Sequence, residues 1–167
     1  SNKASLEVTL CLDNTYFDAC GAGDLLALKT SSWNSAWVDI DNNGWEDLFV
    51  SDKVNINSNK LYVNSAGTLN QITTGAIVNT TAKTVSSIWA DVDNDGFTDV
   101  FIVNATGKKS MLYRNNGNST FSELPNTGLE PDPQYFHGAA WADFDNDGFL
   151  DLLITNFFET RFPRHKG

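Results

Sequence analysis

Residues 36–50 of this 167-residue chain recur twice without a gap, at 88–102 and again at 140–154. Trp37, Trp89 and Trp141 stand 52 residues apart, and so do Asp39, Asp91 and Asp143, and Gly44, Gly96 and Gly148. A fixed period of this length signals one supersecondary unit stacked on copies of itself, since one copy alone cannot bury its apolar face.

A second, looser echo lies between the strong segments. Lys60-Leu61-Tyr62-Val63-Asn64 precedes Gly67-Thr68-Leu69, and Met111-Leu112-Tyr113-Arg114-Asn115 precedes Ser119-Thr120-Phe121. A worn copy runs from Leu10 to Phe17. Each is a short alternating strand, a turn and a second short strand, the pattern of a hairpin. One repeat therefore reads as four strands. The first ends at the Trp-x-Asp, and an Asp-rich loop leads to a continuous apolar strand such as Leu152-Leu153-Ile154, which suits burial on both faces. The Leu-Tyr strand and the Thr-Phe strand complete the unit. Four short strands in roughly 50 residues is the size of one β-propeller blade, and no stretch sustains a helical period.

The expected fold is thus all-β, a single array over 1–167 of about three blade-equivalents. A half blade is expected at 5–32, full blades at 33–80 and 85–130, and a C-terminal half blade at 137–160. Three blade-equivalents are too few for an ordinary closed ring. An open or partial propeller follows, with two readings left standing. The chain is a segment of a longer propeller, or its half blades pair between molecules and cover sheet edges that invite uncontrolled pairing.

The chemistry lies in the loops. Each strong segment carries Asp-x-Asp-x-(Asp/Asn)-Gly-x-x-Asp: Asp39, Asp41, Asn43 and Asp47; Asp91, Asp93, Asp95 and Asp99; Asp143, Asp145, Asp147 and Asp151. The loop aspartates are eleven of the chain's 21 acids, and the other ten nearly balance its 11 bases. The net charge of −10 therefore belongs to the loops, and it argues against nucleic acid as a partner. Side chains at positions 1, 3 and 5 converge when such a loop curls, the Gly at 6 allows the turn, the backbone carbonyl at 7 (Trp45, Phe97 or Phe149) can join, and the Asp at 9 closes the set. Carboxylates crowded within ~4 Å repel by about 4 kcal/mol per pair at an effective dielectric near 20. A cation relieves this. An all-oxygen donor set disfavours zinc and copper, and a flexible protein cage favours calcium over magnesium. The expectation is about three Ca2+ per chain, one per loop. A solvated Asp/Gly turn would explain one such loop, but not three in register. An EF-hand needs a bidentate Glu at position 12, where this chain has Val50, Ile102 and Ile154.

The segments Trp89–Val100 and Trp141–Leu152, with Leu112-Tyr113-Arg114-Asn115-Asn116-Gly117, resemble the FG-GAP/VCBS repeats of integrin α-type propellers and many secreted bacterial proteins. That resemblance implies that the loop joins the first two strands of a blade and binds calcium. It also implies an extracellular or cell-surface module for protein or glycan recognition; the half blades add further copies of the chain as another expected partner, and the expected role is non-catalytic. The alternative is the propeller portion of a secreted polysaccharide-active enzyme. No Ser/His/Asp order, Cys/His pair or phosphate-cradling loop emerges, and no apolar run approaches the ~20 residues of a membrane span.

The repeating tryptophans are expected in the core, and Trp33, outside the register, at the core or rim. His137, His165 and the basic run Arg161–Lys166 are read as solvated or locally bonded. Cys11 and Cys20 flank a hairpin and are equally compatible with a disulfide and with two buried thiols. Asn79, Asn104 and Asn118 sit in glycan acceptor sequons, which matter in a eukaryotic secretory host.

Overall fold

The computed structural model describes residues 5–7, 32–52, 59–80, 82–105, 108–125, 127 and 136–156. Cys11, Cys20, His165 and the basic run lie outside them. The described residues form strands and turns and contain no helix. The strands are β1 (Ser5–Glu7), β2 (Ser32–Val38), β3 (Asp47–Asp52), β4 (Lys60–Ser65), β5 (Thr68–Ile72), β6 (Lys83–Ala90), β7 (Asp99–Ala105), β8 (Met111–Asn115), β9 (Phe121–Glu123), β10 (Phe136–Ala142) and β11 (Asp151–Asn156).

They make three antiparallel sheets, with strand orders β1-β5-β4-β3-β2, β6-β7-β8-β9 and β10-β11. The last two strands are the first half of a further blade. Of the half blade expected at 5–32, the described part is Ser5–Glu7, which adds to the outer edge of the first sheet as a fifth strand beside β5. The sheets stack in series and form an open array among the described residues.

The register repeats as faithfully as the sequence. Trp37 pairs with Leu48, Trp89 with Val100 and Trp141 with Leu152. Each first strand also carries an irregularity at the same place, near Ser32, Thr84 and Phe136. A bulge adds local twist, so one repeated bulge imposes the same twist on each blade. Every residue of β3 is buried, as are Asp99–Asn104 of β7, as expected of strands covered on both faces. Val50, Ile102 and Ile154, at loop position 12, lie within these second strands.

Two cores cement the stack. Between the first two blades, Val38, Ile40, Phe49 and Leu61 meet Val100, Ile102, Tyr113 and Phe121. Between the second and third, Phe101 and Val103 meet Leu152 and Ile154. A polar clasp joins the first strands: Asn34 Oδ1 accepts from the Ser87 backbone N–H at 3.1 Å and from its hydroxyl at 2.7 Å.

The tryptophans depart from expectation in an informative way. Trp89 packs edge-on against Phe49 of the preceding blade at 5.4 Å, and Trp141 against Phe101 at 6.4 Å. Each Trp is thus shared with the blade before it. Trp37, in the first full blade, is 55 % exposed, which corrects its expected core position, and Trp33, expected at the core or rim, is 54 % exposed. Asn104, in one of the acceptor sequons, lies buried in β7, where its amide donates to the Lys109 carbonyl and its oxygen accepts from the Thr84 hydroxyl.

Candidate metal centre

Each Asp-rich loop joins the first two strands of its blade: 39–46 between β2 and β3, 91–98 between β6 and β7, and 143–150 between β10 and β11. The three fold alike, because the same residues make the same local bonds. The carboxylate at position 1 accepts the backbone N–H groups of positions 5 and 6. Asp39 takes those of Asn43 (3.0 Å) and Gly44 (2.8 Å), Asp91 those of Asp95 (3.1 Å) and Gly96 (2.8 Å), and Asp143 those of Asp147 and Gly148 (both 3.1 Å). The side chain at position 5 accepts the N–H of position 7, so Asn43, Asp95 and Asp147 hold Trp45, Phe97 and Phe149.

Closing so tight a curl needs two left-handed residues. Position 6 supplies one as Gly, with φ between 86° and 91°. Position 4 supplies the other as Asn42, Asn94 and Asn146, with φ of 57° to 58°. Asn tolerates this region better than other residues with a β-carbon. The invariance of Asn at position 4 in all three copies was the available sign of this role.

The position-9 aspartates occupy a different environment. Asp47, Asp99 and Asp151 are buried, and each accepts through Oδ2 the N–H of position 2: Ile40 at 2.9 Å, Val92 at 3.1 Å and Phe144 at 3.0 Å. Asp47 Oδ1 also accepts the Asn64 N–H at 2.6 Å, and Asp99 Oδ1 that of Asn115 at 2.8 Å. This residue therefore straps the acidic loop to the hairpin of the third and fourth strands. Burial pushes the Asp47 and Asp99 carboxyls above the usual carboxylate range, against the pull of these N–H bonds, and the neighbouring loop aspartates push the same way.

Asn115 carries the strap across to the next loop. Its side-chain amide donates to the Ile40 carbonyl of loop one at 2.7 Å and to the Thr98 carbonyl at 3.2 Å, while its oxygen accepts the Gly117 N–H at 3.0 Å. Asn42 of loop one donates to the Gly96 carbonyl of loop two at 2.8 Å. The first two loops are therefore joined by direct bonds. Asn64 and Asn115 end the Leu-Tyr echo in both copies, yet composition and spacing gave no reason to assign them a role.

In each loop, one carboxylate oxygen from positions 1, 3 and 9 lies within 4.8 Å of the others: Asp39, Asp41 and Asp47; Asp91, Asp93 and Asp99; Asp143, Asp145 and Asp151. Position 5 completes the turn beside this trio, and position 7 presents its N–H to position 5. Trp45 and Phe149 are exposed beside their loops, whereas the Phe97 ring lies under Gly117. Three carboxylates gathered on one point, one of them buried, fit a hard divalent cation held by oxygen donors.

An open series of four-stranded blades with an acidic loop between the first two strands of each defines a propeller-type repeat array. The FG-GAP-like repeat family matches residues 39–102 and 91–154, over two-thirds of the chain. The chain belongs to this family. It is also 34% identical over 65 residues to cartilage acidic protein 1 of Xenopus tropicalis, a match covering 38% of this chain and 10% of that protein. The match thus spans about a tenth of the length of that curated relative. Among the described residues, no helix is long and apolar enough to cross a membrane.

Proposed function

We propose that this chain is a calcium-binding, extracellular repeat module for recognition, adhesion or self-assembly, with no catalytic role. The observation that carries the proposal is the threefold gathering of carboxylates at positions 1, 3 and 9, each within 4.8 Å of its neighbours. Asp39, Asp41 and Asp47 would hold one ion, Asp91, Asp93 and Asp99 a second, and Asp143, Asp145 and Asp151 a third. Position 5 (Asn43, Asp95, Asp147) and the carbonyl at position 7 would complete the sets. Calcium, when bound, supplies positive charge that offsets the mutual repulsion of these carboxylates.

The protein's part is to preorganise the loops. The straps from Asp47 and Asp99 fix each loop to its own blade, and Asn115 and Asn42 fix loop one to loop two. Charge neutralisation at the loops therefore stiffens the stack of blades as a whole. Partners, either protein or glycan, would dock on the loop end or on strand edges, and further copies of the chain would dock through half blades. Family membership and the likeness to a protein named for cartilage support an extracellular setting.

Sedimentation velocity with calcium and with chelator, run beside a glycan and matrix-protein binding panel, tests this function. Calcium-dependent binding or self-association supports it. Hydrolysis of a polysaccharide by the chain would overturn the non-catalytic reading.

A further inference from the structure

Two differences between the first two blades, one in the acidic loop and one on the third strand, answer each other. Loop one has Asn43 at position 5, and the register position of the third strand that follows Tyr62 is Val63. Loop two has Asp95 at position 5, and the matching residue after Tyr113 is Arg114. The structure gives both substitutions a partner. The Asn43 amide donates to the Asn64 carbonyl at 3.0 Å, a bond that a carboxylate cannot make. In loop two the Arg114 guanidinium reaches over instead, with Nε 2.7 Å from Asp93 Oδ2 and Nη2 2.9 Å from Asp95 Oδ2.

The consequence is electrostatic. Loop one carries three carboxylates at positions 1, 3, 5 and 9. Loop two carries four carboxylates and a resident cation. At these four positions, with Arg114 counted, both sum to a formal charge of −3, and Glu46 at position 8 of loop one, where loop two has Thr98, adds one more negative charge there. Yet the loops are not equivalent toward a metal, because in loop two the position-3 carboxylate already has a counter-ion. Asp93 Oδ1 accepts the Asp95 N–H at 3.3 Å and Asp93 Oδ2 faces Arg114.

We infer that Arg114 is the affinity-setting residue of loop two. It acts as a built-in cation that steadies the loop without metal and must yield its hold on Asp93 and Asp95 when calcium enters. The inference rests on the calcium reading above. Its effect is modest, because the guanidinium is half exposed and such pairs are weak. Two such contacts weaken calcium binding at loop two by about three- to tenfold. The gain is a loop that keeps its shape when calcium is scarce.

The position-6 glycines report on each loop separately, so the test is a calcium titration of the 15N-labelled chain followed at the Gly44, Gly96 and Gly148 amides. In R114V, which copies loop one, Gly96 half-saturates at about three- to tenfold lower calcium, while Gly44, whose loop is bonded to loop two through Asn42, shifts less and Gly148 is unmoved. In chelator, R114V also loses hydrogen-exchange protection at the Gly96 amide. R114K, which keeps the charge but not the fork, falls between. The double variant D95N/R114V keeps its Gly96 protection in chelator, because the fourth carboxylate has gone with its counter-ion. Unchanged half-saturation at Gly96 in R114V, with calcium still binding, overturns the role of Arg114 alone. A wild-type chain whose glycines ignore calcium overturns the calcium reading, and this inference with it.

Discussion

Replacing Asn115 with Ala tests whether the blades are held together by polar bonds as well as by the apolar core. Asn115 is 1 % exposed, and its side chain makes three bonds: to the carbonyls of Ile40 and Thr98 and from the N–H of Gly117. The bond from its own backbone N–H to Asp99 survives the substitution. Ile40 is fully buried, so its carbonyl finds no water and loses its partner outright. A buried polar group left unpaired costs about 1–3 kcal/mol. Thr98 and Gly117 are half-buried, and water recovers part of their loss. The sum is about 2–4 kcal/mol, a large share of the ~5–15 kcal/mol of a typical domain.

Asn64 is the internal control. It occupies the same repeat position and makes the same local bonds, donating to the Glu46 carbonyl at 2.9 Å and accepting from the Gly67 N–H at 2.9 Å. Its surroundings are more exposed, and the bond across the blade interface is peculiar to Asn115 among the two. N64A is therefore expected to cost about 1 kcal/mol. Urea denaturation of both variants, with calcium at a fixed free concentration and again in chelator, reads the difference. Because repeat arrays lose cooperativity when an interface weakens, N115A also lowers the denaturant dependence while N64A leaves it alone. An N115A cost within 0.5 kcal/mol (about the error of such comparisons) of N64A would refute the interface argument.

Three further outcomes follow from the same geometry. Gly117→Ala is more destabilising than Gly67→Ala: both have positive φ, but a β-carbon at 117 meets the Phe97 ring at 2.8 Å while that at 67 meets open space. Strain at such a φ costs about 1–3 kcal/mol at either site, so thermal melts isolate the clash as the excess at 117. Phe101→Ala costs about 3–5 kcal/mol in chemical denaturation, since the ring is fully buried and is the seat of Trp141. Calcium affinity falls as pH drops from 7 toward the ordinary carboxylate value of 3.8, because Asp47 and Asp99 have raised folded-state pKa values and take up protons first. For those same two groups the sign reverses in the metal-free fold. Their contribution to stability is full below 3.8 and is lost as pH rises through the raised folded value, which calorimetric melts in chelator at several pH values would read.

The repeat register made most of the fold legible. It located the first two strands of each blade, because Trp, Asp and Gly recur in one phase, and the hairpin echoes located the third and fourth. The carboxylate trios were legible too: the motif named every member, with positions 1 and 3 standing before the Gly as alternate acids and position 9 returning after the turn. Trp37 was not. Periodicity says that equivalent residues share an environment, but Trp89 and Trp141 pack on a Phe of the preceding blade, whereas Trp37 is 55 % exposed. The double role of Asp47 and Asp99 was hidden for another reason. Their second partners, Asn64 and Asn115, lie 17 and 16 residues downstream, and only the sheet register brings those N–H groups to the loop. Arg114 stood in the sequence only as a member of the Leu-Tyr echo, and it is the sheet register that sets it across from Asp93 and Asp95.

The central claim is that all three acidic loops are calcium sites. Calorimetric titration of chelator-treated chain with calcium, repeated on Asp39→Asn, Asp91→Asn and Asp143→Asn variants, tests it most directly. The account predicts three ions per chain, one for each carboxylate trio, with one lost in each variant. A heatless titration with no change in melting temperature, or a stoichiometry indifferent to these substitutions, would contradict it.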